Sequence, residues 1–106
     1  MAPPSSALAA AREALLQQGW AVLNGVLDKA SCTATLDRLW AAAATYEAQG
    51  HSTFMPVLDP NAANVRVFDL LALDGCFRDL ILQPDAIALV EALLGPHFRV
   101  SNFTAN

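Results

Sequence analysis

Across residues 29–49, Cys32, Leu36, Leu39, Ala43 and Tyr46 recur at alternating intervals of four and three, and Gly50 follows at the exit. That spacing puts all five on one stripe of an α-helix and predicts the longest regular element of the chain. Asp28 stands where an N-cap is needed, because its short carboxylate reaches the free N–H groups of the first turn. A helix with one apolar stripe is stable only against a second layer, so the flanking segments are read for what they lay on it.

Upstream, Ser5 or Ser6 is placed to cap a first helix with Leu8, Ala11 and Leu15 on one face, and Gly19 sits at the expected left-handed exit. Trp20-Ala21-Val22-Leu23 is a short strand-like run, and Asn24-Gly25 turns it into the Asp28-capped helix rather than closing a hairpin, since only Val26-Leu27 follow. Downstream, residues 51–64 carry Pro56, Asp59-Pro60 and two Asn, the punctuation of a loop. Val65-Arg66-Val67-Phe68 reads as a short strand followed by one helical turn, or as the entry to a helix through Leu73. Asp74 caps a short helix holding Phe77, Leu80 and Ile81, which stops before Pro84. Pro84 opens the next helix, with Ile87, Val90 and Leu94 expected inward and Gly95-Pro96 closing it. The final run from Phe98 to Asn106 is extended and halts without a turn signal, the pattern expected of a chain truncated in mid-strand.

Of the 106 residues 55% are hydrophobic and 15% charged. A domain of this size buries about two-thirds of its unfolded surface, so such a chain leaves apolar area uncovered unless more protein packs on it. Ten acidic residues against six basic ones, with the bases scattered, offer no footprint for a phosphate backbone, and nucleic acid is not an expected partner. Neither a targeting segment nor a membrane span is expected: the opening Pro3-Pro4-Ser5-Ser6 lacks the charge of a leader, and no window reaches the roughly twenty apolar residues of a span. Cys32 and Cys76 have no CxxC spacing and no nearby His, and they read as reduced, buried small hydrophobes of a cytoplasmic protein, with a disulfide as the alternative.

The inventory for chemistry is thin. His51 lies in the polar loop and His97 follows Gly95-Pro96; neither has a second His at helical spacing nor a carboxylate two residues on, so neither starts a metal site. No glycine-rich phosphate loop and no nucleophile elbow is present. Asp69, Asp74, Asp79 and Asp85 read as helix caps and a solvated face. On residue chemistry alone the chain is a catalytically empty helical module.

Several phrases, mainly structural ones, nonetheless resemble those of a known family. Gly19-Trp20-Ala21-Val22-Leu23-Asn24-Gly25-Val26-Leu27-Asp28 resembles the opening strand of the phytanoyl-CoA dioxygenase family, where a glycine-aromatic pair leads a short strand and a turn into a long helix. Arg66-Val67-Phe68-Asp69-Leu70-Leu71, Phe77-Arg78-Asp79-Leu80, Leu89-Val90-Glu91-Ala92-Leu93-Leu94-Gly95 and Ser101-Asn102-Phe103-Thr104-Ala105-Asn106 are similar, in order and spacing, to the helical lead-in of bacterial members. The resemblance covers most of the chain from Gly19 onward. It implies an α+β, mostly helical partial domain over residues 1–106: the N-terminal helices and first strands of a double-stranded β-helix (jelly-roll) oxygenase, cut before the metal motif. It also implies that iron(II) and 2-oxoglutarate belong to the complete protein, since the family's H-x-D motif, distal histidine and 2-oxoglutarate-binding arginine lie downstream. The expected partner is then the remainder of the oxygenase domain. Alternation puts Asn102, Thr104 and Asn106 on one strand face, either lining the pocket or turned to solvent with Phe103 in the core. The competing reading is a self-contained helical protein-interaction module.

Two outcomes are expected of the isolated chain. Anaerobic calorimetry finds no stoichiometric binding of iron(II) or 2-oxoglutarate, because the two-histidine, one-carboxylate set is missing; binding abolished by His51→Ala or His97→Ala overturns this. Size-exclusion chromatography finds self-association, because apolar surface and an unpaired strand edge are left open, whereas a soluble monomer with a sharp near-ultraviolet circular dichroism spectrum supports the interaction module.

Overall fold

A computed structural model describes residues 6–106 and contains five helices among them. They are α1 (Ser6–Gln18), α2 (Lys29–Ala48), α3 (Leu70–Leu73), α4 (Gly75–Ile81) and α5 (Pro84–Leu94). The chain divides into two compact units. The first holds the described residues up to Leu27 together with Leu80–Arg99, and the second holds Asp28–Asp79 with Val100–Asn106.

In the first unit α1 packs on α5. Ala11 is buried, and Leu8 and Leu15 are half-buried on the same face, as the spacing requires. Helix α1 starts at Ser6; Ser5, the alternative cap, lies outside the described residues. Its exit is local chemistry: the Gly19 N–H donates to the Leu15 carbonyl at 3.0 Å, and Gly19 takes φ 84°, a left-handed value that costs a residue without Cβ nothing. Pro84 occupies the first turn of α5, where a missing N–H is no loss, and the Gln83 side chain accepts from the Ala86 N–H at 2.9 Å.

The inward face of α5 is not the expected one. Leu89 is its buried residue, Ile87 and Val90 are half-buried, and Leu94 is exposed. The helix reads Ile87, Leu89, Val90, Leu93, Leu94 with alanines between, so apolar groups occur all round it and periodicity leaves its rotation open. Trp20-Ala21-Val22-Leu23 belongs to no ladder among the described residues, yet its burial alternates: Ala21 and Leu23 are half-buried while Trp20 and Val22 are exposed. One side of this segment is packed within its unit and the other is open.

The second unit carries the larger core. Ala42, Ala43 and Tyr46 of α2 are buried with Val67, Leu70 and Phe77, and Leu39, Phe68, Cys76, Phe103 and Ala105 pack against them. Asp28 caps α2 by accepting from the Ser31 N–H at 2.7 Å, and Gln49 and Gly50 end it, Gly50 at φ 93°. Asp69 is the one described non-glycine residue at positive φ (57°); it turns the chain from Val67 into the single turn of α3, a left-handed position that Asp tolerates better than most. The expected helical turn is present as α3, while of the expected strand over residues 65–68 only Val67 pairs.

Its partner is Ala105. The Val67 N–H donates to the Ala105 carbonyl at 3.1 Å and the Ala105 N–H returns to the Val67 carbonyl at 3.0 Å, forming one antiparallel bridge. Exchange of both bonds marks a closely hydrogen-bonded pair whose side chains share a face. Among the described residues this bridge is the only β-pairing, so the sheet portion of the α+β expectation is represented here by one bridge.

Two expectations about α2 need correction. Cys32 is exposed, not buried, and Leu36 is 51% exposed, although both lie on the predicted stripe. Within the second unit the core covers the stripe from Leu39 to Tyr46, and the first half of the helix runs on without a covering layer. Cys76 is half-buried, and both cysteines are free thiols.

Phe77, at 2% exposure, is among the most fully buried large side chains. Phe77→Ala is expected to destabilise the chain by about 3–5 kcal/mol, removing an aromatic ring and leaving a cavity. Val57→Ala, at a site 94% exposed, is expected to stay within about 0.5 kcal/mol of the parent. Chemical denaturation of the two variants checks both, and equal losses overturn the assignment of the core.

Candidate functional site

All features described here lie within the second unit. A groove of about 260 Å³ opens at the rim of the core, between the middle of α2 and the Val67–Ala105 bridge. Leu36, Leu39, Trp40, Val65, Ala105 and Asn106 are among its lining residues. Leu36 and Trp40 are both more than half exposed, so the groove wall is apolar surface facing outward. Nothing in its lining titrates or ligates strongly: the polar members are the Asn64 and Asn106 carboxamides.

Asn102 is exposed, Thr104 half-buried and Asn106 exposed. Asn106 lines the groove; Asn102 and Thr104 do not. Phe103 and Ala105 pack against the core. Alternation along an extended segment then turns Asn102 and Thr104 away from the helical layer.

Charge chemistry is concentrated at the junction of α3 and α4. Asp74 accepts from the Cys76 N–H at 2.9 Å, which caps α4, and its own N–H donates to the Leu70 carbonyl, which closes α3. The Arg38 guanidinium of α2 reaches the same carboxylate in a forked pair, Nε to Oδ2 at 2.8 Å and a terminal nitrogen to Oδ1. The Cys76 N–H first and the Arg38 guanidinium second hold the Asp74 carboxyl below its ordinary range, and Asp74 in turn raises Arg38. Burial, and then the Asp74 carboxylate, pushes the Cys76 thiol up, so this cysteine is poorly suited to act as a thiolate nucleophile or metal ligand. Sequence reading placed Asp74 as a cap; the Arg38 partner, 36 residues away, had no local signal.

Asp59, Glu47 and His51 of this unit each have a structural partner. In the 51–64 loop, Asp59 accepts from the Asn61 N–H at 2.9 Å and from the Asn64 amide at 2.6 Å, and these bonds lower its pKa. The Thr53 hydroxyl donates to Glu47 at 2.7 Å. His51 is exposed and stacks on Tyr46, ring centroids 4.6 Å apart. Among the described residues no three His, Cys, Asp or Glu side chains stand close enough to hold a metal ion. No helix among the described residues is long and apolar enough to cross a membrane.

Over 92 residues, 87% of its length, the chain is 50% identical to Dioxygenase af480 of Aspergillus fumigatus. It covers 30% of that protein, so it spans less than a third of the relative's length. No family model matches the chain, and no solved structure matches it. The chain is thus related in sequence to a dioxygenase across nearly all its residues.

The Asp74 carboxylate sets an expected pH dependence. A pKa depressed in the folded state contributes stability that is complete above the ordinary carboxylate value and is lost as pH falls through the depressed one. The melting temperature is expected to hold steady from neutral pH to about pH 5 and to drop below it. In Arg38→Met the neutral-pH melting temperature is lower and the acid-induced drop smaller, since part of the depression is gone. Parallel melts from pH 7 to pH 2 measure it; an identical acid drop in both proteins overturns the role given to the pair.

Proposed function

We propose that this chain is the N-terminal helical portion of an iron(II)- and 2-oxoglutarate-dependent dioxygenase resembling the phytanoyl-CoA dioxygenase family. The observation that carries the reading is the 50% identity over 92 residues to a dioxygenase of which this chain covers 30%. The Gly19 to Asp28 phrase and the Ser101 to Asn106 phrase supply the finer family assignment. Under it, the metal ligands and the 2-oxoglutarate-binding arginine are carried by the remainder of the oxygenase, and this chain alone is inactive.

The chain's own contribution is a helical layer and an extended segment joined to it through the Val67–Ala105 bridge. Val67 and Ala105 face the core together, and Phe103 joins them two residues earlier. In a layered α+β domain, helices cover one face of a sheet and the opposite face meets the second layer or the ligand space. Asn102 and Thr104 lie on that opposite face by alternation, and we place them on the pocket side, with Asn106, which lines the groove beside α2, at the edge of the segment. The half-uncovered stripe of α2 fits the same reading, since Leu36 and Trp40 have the composition of an interior surface.

The reading frame beyond Asn106 is the first test: an open frame encoding H-x-D and a later His supports the dioxygenase, while an immediate stop codon supports the helical interaction module. In the complete dioxygenase, Asn102→Ala and Asn106→Ala are expected to lower 2-oxoglutarate turnover about tenfold or more without moving the thermal melt, the loss of a hydrogen bond to a bound group being worth about 1.5 kcal/mol or more. Unchanged turnover in both variants places this face outside the pocket.

A further inference from the structure

We draw no further inference here: the strongest candidate, the apolar groove that the exposed Leu36 and Trp40 of α2 form with Val65 and Ala105 beside the Val67–Ala105 bridge, carries nothing beyond the reading already given, because nothing in the structure shows what covers it.

Discussion

The second unit depends on the small side chains at Ala42 and Ala43. Both are buried on α2, and together with Tyr46 they form the surface on which Val67, Leu70 and Phe77 are packed. Methyl groups at two adjacent helical positions let backbone and bulky side chains approach closely, and interiors of this kind are dense enough that a larger residue has nowhere to go. The bridge between Val67 and Ala105, the single turn of α3 and the start of α4 all follow from that contact, because each presents one apolar group to it. The forked Arg38–Asp74 pair closes the same assembly from its edge, tying α2 to the point where α3 ends and α4 begins. Arg38 is largely exposed, so solvent screens the attraction and its value is chiefly one of geometry.

That contact is also short. It ends near Leu39, and α2 continues for more than two turns towards its N-terminus with Leu36 uncovered, while Trp40 is exposed beside the covered stretch. Trp20 and Val22 of the first unit show the same thing at a smaller scale, with one side of an extended segment packed and the other bare. An exposed leucine alone means little, since much of any protein surface is apolar. Leu36 and Trp40 mean more because they are one turn apart and line one concave surface with Val65 and Ala105.

What the sequence made legible was local. The cap at Asp28, the proline start of α5, the left-handed exit at Gly19 and the full run of α2 are each decided by a few neighbouring residues, and each stands where the spacing put it. Whatever joins distant residues was not legible. Val67 pairs with Ala105 and Arg38 with Asp74 across separations of more than thirty residues, and no periodicity announces either. The burial of Cys32, Leu36 and Leu94 was misread for a related reason: period fixes which residues share a stripe, while coverage of that stripe is decided by other elements. On α5, apolar on nearly every side, even the stripe is undetermined, and Leu89 is buried where Leu94 was expected.

The candidate site was legible only through its face. Spacing alone put Asn102, Thr104 and Asn106 together and left two environments open for them, bulk water or a pocket. Packing of Phe103 and Ala105 on the helical core turns Asn102 and Thr104 away from it, while Asn106 lines the groove beside α2. Asp28, Asp59 and Asp74 serve as caps and turns, His51 stacks on Tyr46, and among the described residues no three His, Cys, Asp or Glu side chains are grouped to hold a metal ion. An extended segment backed by a close-packed helical layer is a stiffer support for a polar side chain than a loop.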